Sequence, residues 1–367
     1  MRRTDHESPR AVTMRDVARA AGVSVSAVSL VLNNKEGARI GAEARARIQE
    51  AITRLGYRPN AMAKDLVTGQ SRFIGLVADA IASTPFAGQI IHGAQDEAWR
   101  HGYVLLVANI EGNQDAEHEA IAMLLEHKVR GVLYSTWCHR KVEVPQGLGE
   151  SDCVLVNCYA EADLPAVVPD EVTGGRDATR LLLARGHRRV GFVNTTTPSP
   201  AREGRLQGYR DALEAAGIAF DPALVIDAQP EQEGGYDAVA ALLEQGVTGV
   251  FCHNDRVAMG LYDGLRDRGL TVPDDVAVVG FDNQEVIAAH LRPPLSTVAL
   301  PHYELGVAGV RVLLGLDAPG PDGRVIVGCP PVERASVGAT RQYADLVIDG
   351  SAARRSRRGS ADRPRDD

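Results

Sequence analysis

The chain has 367 residues, 44% of them hydrophobic, and a formal charge of −8. That is enough to bury substantial cores, in two or three domains. No run of about 18 apolar residues occurs and the first residues are charged, so neither a membrane span nor a secretory leader is expected, and the protein is expected in the cytosol. Five cysteines (Cys138, Cys153, Cys158, Cys252, Cys329) are odd in number and lack zinc spacing, so they read as reduced core thiols.

Charge divides the sequence. Residues 1–72 carry 13 Lys+Arg against 7 Asp+Glu, a net +6, which leaves −14 for the remainder. A basic head on an acidic body suggests that the head alone meets a polyanion.

Residues 1–11 read as a disordered lead. Thr13–Leu32, TMRDVARAAGVSVSAVSLVL, reads as two short helices around a tight turn. Thr13 and Asp16 form a capping box, and Val17, Ala18 and Ala21 make an apolar face. Gly22 turns the chain and Ser24 caps a second helix, whose face continues through Val28 and Val31 or Leu32. This is the plan of a helix-turn-helix, whose second helix enters the major groove of DNA; an ordinary helical hairpin is the alternative. Asn33–Ile40 is a polar loop. Ala42–Leu55 predicts a third helix with Ala46, Ile48, Ile52 and Leu55 inward, stopped by Gly56. A break at Tyr57-Arg58-Pro59-Asn60 precedes a short helix, Ala61–Val67, and a link, Thr68–Ser71. Three helices in so few residues make a small, marginal core.

From Arg72 apolar strands alternate with amphipathic helices. Strands are expected at Phe73–Ala78, Tyr103–Ala108, Gly131–Tyr134, Cys153–Val156, Arg189–Val193, Leu224–Ile226, Gly249–Cys252 and Val276–Gly280. Helices are expected at Gln89–His101, Glu117–His127, Gly174–Arg185, Glu203–Ala216, Tyr236–Gln245 and Asp255–Arg268. Apolar strands spaced by helices predict doubly wound parallel sheets with ligands at the carboxyl ends of the strands. So many units before residue 290 predict two such subdomains. The tail after Gly338, rich in Arg, Ser and Asp, reads as disordered and solvated.

The order of these parts resembles the lactose repressor/galactose repressor family of bacterial transcription regulators over residues 12–338. The matching segments are DVARAAGVSVSAVSLVLN, GYRPNAMAKDL, TPFAGQIIHGAQDEA, LLLARGHRRVGFV, REGRLQGYRDAL, FCHNDRVAMGL, VPDDVAVVGFDN and PPLSTVALPHYELG. The resemblance implies a helix-turn-helix domain (12–58), a hinge helix and linker (59–71), and an effector-binding and dimerisation body (72–338) of two subdomains like a type I periplasmic binding protein. It also implies a homodimer, with a tetramer as the alternative, that binds double-stranded operator DNA and a small polar effector, a sugar or related polyol. No cofactor or metal is expected.

Carried over by position, the resemblance implies that Val25, Ser26 and Leu30 face bases and that Ser24 and Ser29 lie nearer phosphates. Thr13, Asn33, Asn60 and Ala63 complete the DNA-contacting set, and Leu66 falls where a hinge leucine wedges into the minor groove. Ala27 and Leu30 replace a threonine and an arginine common in the family, so the operator does not transfer; Gly41 replaces a capping serine. For the effector the resemblance implies Arg205, Asn254 and Asp282, with Asp79, Phe86, Asn157 and Arg202 as weaker members. Asn254 and Asp282 read equally as helix caps, and Arg205 as the partner of a carboxylate. An aromatic common after the strand Leu224–Ile226 is replaced by Ala228 and Gln229.

No phosphate loop, nucleophile elbow or zinc-binding histidine pair speaks for an enzyme. His187, His253 and His302 read as structural. A ligand-dependent activator remains the alternative to a repressor.

Overall fold

The structure is a computed structural model that describes residues 12–32, 40–57, 71–81, 84, 86–149 and 151–339. Two compact units part between Arg72 and Phe73.

The first unit contains α1 (Met14–Ala21), α2 (Val25–Leu32) and α3 (Ala42–Leu55). Val17, Ala18, Ala21, Val28, Val31, Ile48, Ala51 and Tyr57 form its core. Two details differ from the sequence reading. Ala46 is exposed and Ala51 takes the buried position, since Ala51 lies one turn from Ile48 on the same stripe. Tyr57, read as part of a break, is buried as a lid on the core. At Gly41 no side chain bonds the start of α3, as its lack of a side chain dictates.

The second unit holds two parallel sheets. The first runs in the order β11-β5-β4-β3-β1-β2, from β1 (Phe73–Asp79), β2 (Val104–Asn109), β3 (Val132–Lys141), β4 (Cys153–Tyr159), β5 (Ala166–Pro169) and β11 (Arg324–Val327). Strand β1 is buried on both faces, as its unbroken apolar run requires. Ile74, Leu76 and Ala78 meet α4 (Gly88–Arg100) and α11 (His302–Leu313), while Val77 faces α5 (Gln114–Glu126).

The second sheet has the order β7-β6-β8-β9, from β6 (Val190–Thr195), β7 (Val225–Ala228), β8 (Gly249–Cys252) and β9 (Ala277–Val279). Helices α6 (Glu171–Ala184) and α7 (Pro200–Ala215) cover one face, over a stack of Phe192 on Phe251 with centroids 4.5 Å apart. Helices α8 (Gln232–Glu244) and α9 (Asp255–Asp267) cover the other. A one-turn helix, α10 (Glu285–Ala288), and an antiparallel ribbon of β10 (Thr297–Val298) and β12 (Pro331–Val332) complete the subdomain.

The sequence reading lacked β5, α10, β10, β12, α11 and β11. The last two return the chain to the first sheet after the second has been built. The chain therefore passes between the sheets three times: after β5, after β10 and after β11. These connections gather side chains from distant parts of the sequence at the carboxyl ends of the strands. Among the described residues no helix is long and apolar enough to cross a membrane, and the five cysteines are free thiols, four of them buried. The lead before residue 12, the helix expected at 61–67 and the tail beyond 339 lie outside the described residues.

Candidate functional site

In the first unit, the Thr13 Oγ1 accepts from the Asp16 amide at 3.3 Å and the Asp16 carboxylate accepts from the Thr13 amide at 3.0 Å, which closes the capping box. Gly22 ends α1 at φ 65° in the left-handed region that favours glycine. Ser24 Oγ then accepts from the Ala27 amide at 3.2 Å and opens α2. Val28 and Val31 point into the core, so the opposite face of the first turn is outward: Thr13, Ser24, Val25 and Ser26 are exposed, while Ser29 and Leu30 are half-buried. Arg47 of α3 holds the end of α1 by donating to the Ala21 carbonyl at 3.2 Å. Asn33, Asn60, Ala63 and Leu66 lie outside the described residues.

In the second unit, a cavity of about 170 Å³ opens at the carboxyl ends of both sheets. Its first wall comes from an irregularity in β3, where the register with β4 shifts between Ser135 and Arg140. The offset turns Trp137, Cys138 and His139 toward the cavity, as bulges re-aim side chains. Asn157 secures this bend. Its backbone sits at φ 58°, and its amide donates to the Thr136 carbonyl at 3.0 Å.

The opposite wall is built around Arg205. Positions Ala201, Arg205, Gly208, Tyr209 and Ala212 form the buried stripe of α7, so the helix carries a guanidinium into its core face. Its Nε donates to Glu171 at 2.8 Å, its Nη1 to the His253 carbonyl at 2.5 Å, and its Cζ lies 3.7 Å above the Phe281 ring. Asp282, at φ 102°, lies 3.8 Å from the same guanidinium and accepts from the Gln284 side chain at 3.0 Å. One cation serves two buried carboxylates unequally. Burial pushes both upward, but at Glu171 the adjacent Arg205 charge outweighs it and holds the carboxyl at about 2. At Asp282 burial prevails over the more distant Arg205 and leaves the group at about 6.

Five of the seven expected effector residues, Phe86, Asn157, Arg205, Asn254 and Asp282, line this cavity. Two of them also make the alternative bonds foreseen for them. Asn254 caps α9, accepting from the Val257 amide at 2.8 Å, and Arg205 pairs with a carboxylate. Asp79 and Arg202 do not line this cavity. Asp79 pairs with Arg140 at 2.5 Å beside a separate recess under Tyr134. Arg202 turns back along its own subdomain to the Thr195 carbonyl at 2.8 Å and Asp227 at 2.6 Å.

Sequence reasoning missed His139, Glu171 and the contribution of His253 to the wall. Glu171 sits in a helix start that the pattern placed at Gly174, and His139 follows a strand whose apolar run stops at Tyr134. His187 is structural as expected, bridging Thr248 Oγ1 and the Gly338 carbonyl at 3.0 Å each. Burial lowers His302 to about 4 and His253 well below the ordinary histidine value, so both are neutral. Among the described residues no cluster of His, Cys, Asp or Glu could hold a metal ion.

A helix-turn-helix head and a two-sheet, ligand-sized cleft define a ligand-responsive DNA-binding regulator. Comparison with known proteins agrees in both parts. Residues 13–60 match the model for bacterial regulatory proteins of the lacI family, and residues 71–314 that for periplasmic binding proteins and the sugar-binding domain of the LacI family. Over 306 residues the chain is 31% identical to the ribose operon repressor of Haemophilus influenzae, spanning 82% of this chain and 91% of that one. It is 32% identical over 308 residues to the transcriptional repressor CytR of Escherichia coli, spanning 83% and 89%. A LacI family regulator from Enterococcus faecium solved with bound ribose is 26% identical, covering 73% of this chain and 100% of that one, with a TM-score of 0.58. The chain belongs to the LacI family: it is a DNA-binding transcription regulator and not an enzyme.

Proposed function

We propose that the protein is a cytoplasmic repressor that binds a pseudo-palindromic operator as a homodimer and is switched by a small sugar-like effector in the cleft of its second unit. The observation that carries this reading is the convergence of Phe86, Asn157, Arg205, Asn254 and Asp282, chosen from sequence, on one cavity. Two of the three connections between the sheets border that cavity, at Glu171 and Leu300, so a ligand that prefers one arrangement of the subdomains biases the whole body.

Residues 12–58 are the operator-reading domain in this reading. Val25 and Ser26 are exposed on the first turn of α2. Valine there offers apolar surface to a thymine methyl and serine a versatile hydrogen bond. Leu30 lies one turn further on, and Thr13, Ser24 and Ser29 flank them toward the backbone. Residues 59–71, with Asn60, Ala63 and Leu66, serve as the hinge contact. The effector is a sugar on two grounds: amide and carboxyl groups line the cavity beside an aromatic ring, and relatives are named for ribose.

Footprinting with full-length protein on the DNA upstream of its own and adjacent genes tests the reading. A protected pseudo-palindrome whose occupancy changes with an added sugar is expected. Absence of any protected site, with sugars both present and absent, overturns it.

A further inference from the structure

Taking the cleft as the effector site, we infer that its effector is an uncharged polyol with adjacent hydroxyls, anchored by Glu171 and His139, and that phosphorylated or acidic sugars are rejected. The inference rests on what the polar groups of one wall have left to bond. His139 Nδ1 and Nε2, Glu171 Oε1 and His253 Nδ1 are buried and have no hydrogen-bond partner among the described residues. The side chains of His139 and Glu171 are 8% and 4% exposed, and both line the cavity. They stand 3.5 Å apart, a long contact through which His139 helps to lower the Glu171 carboxyl but which leaves the hydrogen-bonding capacity of both groups open. Leaving such groups unbonded is unfavourable, so the wall favours a ligand that completes them.

The chemistry of that ligand follows from the donor and acceptor inventory. The free Glu171 oxygen only accepts, because its other oxygen holds the Arg205 guanidinium and the carboxyl is ionised. Both ring nitrogens of His139 are without a hydrogen-bond partner among the described residues, and each donates or accepts according to the tautomer, so the ring calls for two polar partners. A hydroxyl both donates and accepts. Two neighbouring hydroxyls can therefore donate a hydrogen bond to Glu171 and exchange hydrogen bonds with His139, which neither an apolar group nor a fully deprotonated anion can do.

Charge points the same way. Of the two guanidiniums at the cavity, Arg205 is engaged by Glu171 and the His253 carbonyl, while Arg256 lies 3.4 Å from Glu231, an ion pair that leaves its Nε without a hydrogen bond among the described residues. Helix starts can bind phosphate, but here they carry their own carboxyls: Glu171 in the first turn of α6, Glu203 in that of α7 and Asp255 in that of α9. An anionic substituent at the free Glu171 oxygen would meet an ionised carboxylate whose own guanidinium, Arg205, is already engaged. The cavity, about 170 Å³, falls below the roughly 300–1,000 Å³ of pockets for drug-sized ligands, which suits a monosaccharide.

Calorimetric titration of the full chain with D-ribose, D-xylose, D-glucose and D-galactose, each beside its terminal phosphate ester, tests the inference. At least one neutral sugar is expected to bind, with its ester weaker by a hundredfold or more. His139→Ala, which leaves the Arg205 pair untouched, is expected to weaken that sugar about tenfold to hundredfold. Glu171→Gln, checked for folding by its melting curve, is expected to narrow the gap between sugar and ester. An ester binding as tightly as its sugar, or a His139→Ala protein with unchanged affinity, overturns the inference and leaves the small-ligand reading standing. No binding by any sugar in either form overturns both.

Discussion

Asp282 carries the clearest conflict between stability and function at the level of single residues. It is buried at a left-handed backbone position, and its carboxyl is raised to about 6 because burial outweighs the shared Arg205 charge. A folded-state value above the unfolded one of about 3.9 means that the folded chain binds this proton more tightly. The stabilisation is complete below pH 4 or so and is lost as pH rises through 6. Asp255 is raised in the same direction by burial and by Asp282. Glu171 acts in the opposite sense, since a value near 2 adds stability above about 4.5 that is lost on acidification toward 2. Asp282→Asn, which keeps the shape and removes the charge, should therefore raise ligand-free stability at pH 7 by on the order of 1–3 kcal/mol. The gain should shrink below pH 6 and vanish near pH 4. Thermal melts of wild type and variant across pH 4–8 check this; equal melting temperatures at pH 7 would show that the carboxyl is not strained. Sugar binding by the same variant should fall, the usual exchange of stability for function at a site.

Among helices, close approach is what delivers Arg205 to its partner. A Cβ at Gly175 of α6 would lie 2.7 Å from the Arg205 Cα, and one at Gly208 of α7 would run into the Val172 carbonyl. The two helices thus pack backbone against backbone, and no other residue permits that separation. The same device recurs where Gly93 and Gly306 join α4 to α11 and where Gly235 and Gly260 join α8 to α9. Gly175→Ala should force α7 away, destabilise the body by roughly 1–3 kcal/mol through overpacking, and lengthen the 2.8 Å Arg205–Glu171 bond. Sugar affinity should fall with it. Calorimetric melting and sugar titration of this variant read the two effects separately; a lowered melting temperature with unchanged affinity would mean that the site tolerates the shift.

For the whole molecule, the charge division sets how it meets DNA. A +6 head and a −14 remainder focus phosphate contact on residues 1–72, and each neutralised phosphate adds about −0.9 to the slope of log affinity against log salt. Operator affinity measured from 50 to 200 mM salt should fall steeply, and a flat profile would argue against a phosphate-contacting head. Leu66→Ala should reduce operator bending in circular-permutation gels while leaving sugar titrations unchanged, because the proposed wedge acts at the DNA and the cavity is built from residues beyond 85.

Local chemistry determined the parts of this protein that the sequence discloses by itself. Capping, turn and stripe positions specify the head through Thr13, Asp16, Gly22 and Ser24, because each of those bonds spans four residues or fewer. Apolar runs a helix apart specify parallel sheets, and the family resemblance picks out Arg205. Tertiary structure alone decided the rest. Strand β11 pairs with β5 at Ala166–Pro169, more than 150 residues earlier, and no periodicity announces a strand that completes a distant sheet. Glu171 and His139 become one wall only when α6 and the bend in β3 face each other across the cavity. Asp79 and Arg202 stand at strand and helix positions as suggestive as that of Asp282, and they point away because Arg140 and Asp227 hold them by ion pairs. Sequence spacing fixes which element a side chain stands on; the partner that claims its charge is chosen by the fold.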